Sequence, residues 1–226
     1  MRAGTMSAVL YGLEESKSAE RTFAVEGKES AQPKVFSADR FAGEQIRGLV
    51  RRVFMSGLTP PVHQIVLGAI ENGIDVAGIC GKVGETLAAE TDKEVVVVTS
   101  GPRSDFFLES EPMAPARTAA MQVDKNLWSV HLPNDRRHIP AHSLQSYMAK
   151  IRREFEYSIV AASAGDPHEA LAMGLAGDGV ILVLSAMRTR RAGAVRFRDA
   201  LAQLRLLGTV LTDREFPIPA AIYRRL

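Results

Sequence analysis

The sequence predicts an α/β fold: three layers, doubly wound around a mostly parallel sheet. Three observations predict it. Short apolar runs alternate along the chain with stretches of helical periodicity, the pattern of strands joined by crossover helices. Val95-Val96-Val97-Val98 places four β-branched residues in a row, which suits a central parallel strand covered on both faces. Finally, 46% of the 226 residues are hydrophobic, with only 18 Gly and 11 Pro, which excludes collagenous, mucin-like and wholly disordered chains.

Taken in order, residues 1–39 read as a loosely ordered arm. Leu13 to Asp39 is rich in Glu, Ser, Lys, Ala and Gln and buries too little apolar area to offset its ordering entropy. Ala8 to Gly12 is the one stretch there able to add an edge strand. The folded domain spans 40–226. Ala42, Ile46, Leu49, Val50, Val53 and Phe54 recur at helical spacing, predicting an amphipathic helix over 40–55 that Gly57 and Pro60-Pro61 end. Val62 to Ala69 reads as a buried strand. Gly73 opens a second helical stretch to about Ala89, with Val76, Ile79, Cys80, Val83 and Leu87 on its inner face. Glu94 to Thr99 is the next strand, and 100–125 reads as irregular. Strands follow at 127–132, 157–162, 179–184 and 207–212, with helices at 142–154, 168–174 and 192–206.

The charge balance, 28 basic against 26 acidic side chains for a net +2, provides no overall basic field for nucleic acid. The single cysteine, Cys80, excludes an internal disulfide and a thiolate metal cluster, and its apolar helix face marks it as a buried structural thiol. No segment has the roughly 18 uninterrupted apolar residues of a membrane span. With no signal peptide evident at the N-terminus, the expected location is the cytoplasm, or the inner face of a membrane through a partner.

The segment after the first strand, Gly68-Ala69-Ile70-Glu71-Asn72-Gly73-Ile74-Asp75, has the glycine spacing of a phosphate-binding loop between strand and helix. In a working loop of that kind, backbone N–H groups wrap the phosphates at the positive end of the helix. A lysine bridges the outer phosphates and a Ser/Thr hydroxyl ligates magnesium. Here those two positions hold Ile74 and Asp75, which supply no cation and a like charge. An ordinary βα turn has the same spacing, so both readings stay open. Gly81-Lys82 is no substitute, since it lies within the helix. The histidines His131, His138, His142 and His168 show no ligand spacing, and no metal site is expected. Asp166 reads as a helix cap. Ser163 and His168 lack the G-x-S-x-G elbow of a Ser-His hydrolase. Trp128 and Phe155 read as core, and Arg136-Arg137 and Arg188-Arg190-Arg191 as basic loop clusters open to an acidic partner, to a residual phosphate ligand or to solvent.

Longer stretches carry a resemblance. These are Asn126 to Val130, Ile139-Pro140, Leu144 to Arg153 and Phe155 to Val160. They continue with Gly177 to Leu184, Arg188 to Arg191, Leu207 to Thr212, Pro217 to Pro219 and Ile222 to Leu226. In that order and spacing, roughly residues 40–226 resemble the bacterial tyrosine autokinases of capsule and exopolysaccharide synthesis. These are relatives of the MinD/ParA-type P-loop ATPases. The resemblance implies a P-loop NTPase-like fold and an oligomerisation motif, E-x-x-R-x-x-R, in the first helix. Glu44 and Arg47 match its first two positions, Val50 departs from the third, and Arg51 follows one place later. The family's lysine and Ser/Thr fall on Ile74 and Asp75, its D-x-D motif on Thr99-Ser100-Gly101, and its Walker B aspartate within Val160 to Ala164. Its C-terminal tyrosine cluster is reduced to Tyr223.

Phosphoryl transfer depends on positioned cations and charges around the phosphates. The resemblance with these departures therefore implies a catalytically inactive relative with no cofactor, serving as an interaction or regulatory subunit of polysaccharide synthesis or export. Its expected partners are itself, an active tyrosine kinase or a membrane adaptor, met through Glu44, Arg47 and Arg51. The alternative is an atypical nucleotide- or anion-binding protein that works its loop, Gly68 to Gly73, with backbone amides and borrowed arginines. A scaffold without any ligand is the third reading.

Overall fold

The computed structural model describes residues 38–101, 116–133 and 139–213. The N-terminal arm up to residue 37, Arg136, Arg137, His138 and Tyr223 lie outside them. Helix α1 (Ala38–Phe54) leads to strand β1 (Gln64–Ala69), helix α2 (Val76–Thr91) and strand β2 (Val95–Gly101). A 3-10 turn (Ala116–Ala119) precedes β3 (Met121–Asp124) and β4 (Leu127–Pro133). The chain then alternates through α3 (Ala141–Glu154), β5 (Tyr157–Ala161), α4 (Pro167–Gly174), β6 (Gly179–Ser185), α5 (Arg191–Ala200) and β7 (Leu206–Thr212).

The strands form one sheet in the order β3-β4-β2-β5-β1-β6-β7. Every pairing is parallel except β3 with β4. The α/β, doubly wound, mostly parallel architecture is thus the one the sequence predicts. Its cause is visible in the valine run. Val95 and Val97 enter the core under α1 and α2, while Val96 and Val98 enter the core under α3, α4 and α5. β1 divides the same way, Ile65 and Leu67 to one face and Val66 to the other. A strand buried on both faces has no polar alternation, so it reads as a continuous apolar run.

Three expectations are corrected. The helix expected to open at Gly73 starts at Val76, because Gly73 has φ +84°, a left-handed conformation that no helix contains. The helix expected over 192–206 stops at Ala200. Leu201 N–H turns back to Phe197 and Arg198 carbonyls, which lets Leu204 fill the space over Gly174 and lets Arg205 accept from Val180 N–H at 2.9 Å. The stretch 100–125 is not wholly irregular. β2 runs on to Gly101, and β3 forms an antiparallel edge whose four residues are all exposed. With no buried side, β3 has no period-2 pattern to betray it.

Candidate functional site

The phosphate-loop segment lies at the carboxyl end of the sheet, where doubly wound folds place their ligands. It is hemmed in by β5 and β6, the two neighbours of β1. Ile70 N–H donates to Val183 O at 3.2 Å, and Gly165 N–H to Ala69 O at 2.8 Å. Of the two glycines of the motif, Gly73 is the one the backbone requires. A Cβ on Gly68, inside β1, would meet Ala170 and Phe197 at 3.4 Å, an ordinary packing contact. Gly73 holds the left-handed turn that redirects the chain into α2.

At the lysine position, Ile74 turns its side chain onto the core beneath α1 and α2, and its carbonyl accepts from Val76 N–H at 2.9 Å. At the hydroxyl position, Asp75 is the N-cap of α2, its Oδ1 accepting from Gly78 N–H at 2.8 Å. Ile79 N–H goes to Asp75 O at 3.2 Å. Two of the four N-terminal amides of α2, those of Val76 and Gly78, are therefore bonded within the chain rather than free to cradle a phosphate, and the carboxylate supplies negative charge at the positive helix end. The same carboxylate acts on Cys80. Burial first and the Asp75 charge second push that thiol far above its ordinary range. A fully buried, protonated thiol is unreactive.

The other motif positions are equally occupied. Where the D-x-D motif falls, Thr99 Oγ1 lies 3.0 Å from His131 Nδ1, its register partner on β4. His131 Nε2 is 3.4 Å from Ser129 Oγ. Past β5, Ser163 N–H donates to Glu169 at 3.1 Å, and Asp166 caps α4 through His168 and Glu169 N–H, the role its sequence position indicates.

From the β6–α5 turn, Thr189 donates its hydroxyl to the Glu71 carboxylate and accepts from Ser185 N–H. Arg188 stands beside the loop, Nη1 3.6 Å from where a Gly73 Cβ would be, held by Asp213 at 3.1 Å. Sequence reasoning put Arg188 in a basic cluster but missed the roles of Glu71, Thr189 and Asp213, since Glu71 pairs with Thr189 118 positions away and Asp213 with Arg188 25 positions away. Among the described residues, no group of three or more His, Cys, Asp and Glu is arranged to hold a metal.

On α1, Arg47 and Arg51 are both exposed and both bonded to Glu90 of α2, at 3.1 and 3.2 Å. Glu44 is exposed one turn earlier, and Val50 is fully buried against the core, which explains why no arginine stands there. A shallow cavity of about 460 Å³ opens at the opposite end of the sheet, lined in part by His63, Lys93, Arg152 and Glu156. Its Arg152 is bound by Asp178 at 2.6 Å, and His63, which sequence reasoning passed over, stacks on Tyr157. Trp128 and Phe155 pack near one another under the guanidinium of Arg117, which Glu94 fixes. Phe155 is buried and Trp128 half-buried.

Sheet order and crossover helices give an α/β fold that matches P-loop NTPase-like structures. Its relatives in structure are specific ones. The chain superposes on the chimerical protein CapA2B2 with a TM-score of 0.60, at 12% identity over 76% of this chain and 85% of that one. The BceF tyrosine kinase domain gives 0.59 at 14% identity, covering 76% and 77%. MinD, the cell division protein of Aquifex aeolicus, gives 0.52 at 16% identity, covering 66% and 67%. At these identities the likeness is one of fold. No family model and no curated protein matches the sequence. No helix among the described residues is long and apolar enough to cross a membrane.

Proposed function

We propose that the chain is a P-loop relative that has lost phosphoryl transfer and acts as an interaction or regulatory subunit, in exopolysaccharide or capsule synthesis or export. The observation that carries the reading is Asp75: its carboxylate caps α2 where a phosphate would bind, while Ile74 is turned into the core. Supporting it, the positions of both aspartate motifs hold Thr99 and the Val160–Ala164 segment, so neither supplies a carboxylate to organise magnesium. The pathway rests on the sequence resemblance of residues 40–226 to the tyrosine autokinases of capsule and exopolysaccharide synthesis, and tyrosine kinase domains are among the structural neighbours. The exposed face of α1, with Glu44, Arg47 and Arg51, is the proposed contact with a like subunit, an active kinase or a membrane adaptor.

Arg188 favours one second reading, an anion site that uses a borrowed arginine in place of lysine. A thermal melt with and without saturating magnesium-ATP separates the two. A ligand at a hundredfold excess over its dissociation constant stabilises by about 2.7 kcal/mol, or at least ~5 °C for a chain of this size. No shift is expected. A clear shift overturns the proposal in favour of the arginine-assisted site.

A further inference from the structure

The β6–α5 turn and helix α5 carry charge that the phosphate-loop reading leaves unused. Residues 186–200 hold five arginines, Arg188, Arg190, Arg191, Arg196 and Arg198, against one carboxylate, Asp199. In a chain of net charge +2 this is a local field. Helix α5 is moored by Phe197, its buried residue. At about 100° per residue, Arg191, Val195, Arg196 and Arg198 fall within an outward arc of about 160° centred opposite Phe197. Arg188 is taken by Asp213 and Arg198 by its neighbour Asp199. The side chains of Arg190, Arg191 and Arg196 are exposed and have no partner among the described residues.

Exposed apolar residues alternate with these cations along the chain. Met187 is 63% exposed and Val195 37%. Beside Arg198 a groove of about 260 Å³ opens between α5 and the sheet, with Leu204 and the exposed Leu206 in its wall. We propose that the β6–α5 turn and α5 form a docking surface for an anionic phospholipid bilayer, the free guanidiniums on lipid phosphates and Met187 and Val195 at headgroup depth. Guanidiniums take phosphate oxygens bidentately, and each basic side chain near such a surface strengthens binding roughly fivefold. Nucleic acid offers the phosphates without an apolar layer and would leave Met187 and Val195 facing water. This proposal is independent of whether the phosphate loop binds anything.

The test is sedimentation of the full chain with vesicles of phosphatidylglycerol and phosphatidylcholine, and of phosphatidylcholine alone, at ~0.05 M and ~0.5 M salt. Binding is expected on the anionic vesicles at low salt only. The R190E/R191E/R196E variant should lower it at least roughly hundredfold, and M187S/V195S should lower it with all charges kept. Both variants should melt like the parent, since every altered side chain is exposed. A charge-matched control on other surfaces, K93E/K125E/R153E, should bind within a few-fold of the parent. The proposal is overturned by absence of binding at low salt, by undiminished binding of the arginine variant, or by equal loss in the control. Tighter binding to duplex DNA that the arginine variant abolishes also overturns it, and assigns the surface to nucleic acid.

Discussion

Replacing Gly78 by alanine tests the cap of α2 through the sign of its effect. Gly78 is half-buried in the first turn of the helix, where exchanging Gly for Ala ordinarily stabilises by about 1 kcal/mol. Here a Cβ would land inside the Asp75 carboxylate, so the side chain must swing away and give up its hydrogen bond to Gly78 N–H. Losing an aspartate cap costs about 1 kcal/mol, with up to a further ~1 kcal/mol from charge at the helix end. The two effects cancel, and G78A in the parent should be neutral or slightly destabilising. In a D75A background the cap is already gone, and the same exchange should stabilise by about 1 kcal/mol. Urea denaturation of the four proteins gives the coupling directly, expected at about 1–2 kcal/mol. If G78A stabilises equally in both backgrounds, the Asp75 carboxylate does not occupy the amides of α2, and the argument against phosphate binding loses its main support.

Other expectations follow from the same packing. Asp178 accepts from His63 and Gln64 N–H and binds Arg152, so D178A strands two amides at the head of β1 and should cost about 3 kcal/mol in denaturant titration. G84A, whose Cβ would strike Val97 across the α2–sheet interface, should destabilise by about 1–3 kcal/mol in spite of its better helix propensity. Burial first and the Glu154 charge second push the Tyr147 phenol up to about 12. Because that exceeds its unfolded value of about 10, Tyr147 favours folding fully below about pH 10, and this contribution is lost as pH rises through 12. Stability measured against pH should fall by about 2–3 kcal/mol over that window, and Y147F should remove most of the fall. Tyr157, also raised by burial and then by Glu156, contributes in the same sense.

The framework was legible because burial on two faces writes itself into consecutive residues. Val95 to Val98, Gln64 to Ala69 and Gly179 to Ser185 each announce a central strand without reference to anything distant. β3 escaped because Met121 and Val123 are exposed on an edge that only its pairing with β4 defines. The end of α5 escaped because the apolar spacing of Leu201 and Leu204 continues the helical rhythm, while Leu204 serves a contact with Gly174 from another crossover. At the site, the identities of Ile74 and Asp75 were legible as departures from a motif. Their destinations were not, since one depends on where α1 and α2 meet and the other on the backbone of Gly78. The links of Glu71 to Thr189 and of Arg188 to Asp213 are tertiary pairs between loops, which no periodicity records.

Loss of a ligand from such a loop creates a physical problem of its own. The first turn of α2 opens to solvent, with Asn72, Gly73, Asp75 and Ala77 exposed, and without an anion or a cap its amides would meet only water, at about 1 kcal/mol for the lost cap. A cation at the lysine position, left without phosphate beside those amides, would add repulsion. Ile74 and Asp75 resolve both difficulties together. The isoleucine removes the charge and adds apolar contact to the core under α1 and α2, and the aspartate supplies the missing acceptor and the missing negative charge. Restoring either residue alone should therefore fail. I74K brings a cation toward the unliganded helix start, and D75S removes the blocking carboxylate but offers phosphate no counter-charge. Only I74K/D75S together present an anion with open amides and a cation, so a magnesium-ATP melting shift in that double variant and in neither single one is the expected result. A shift in D75S alone would show instead that Arg188 already supplies the cation, and that the carboxylate of Asp75 was the one barrier to phosphate.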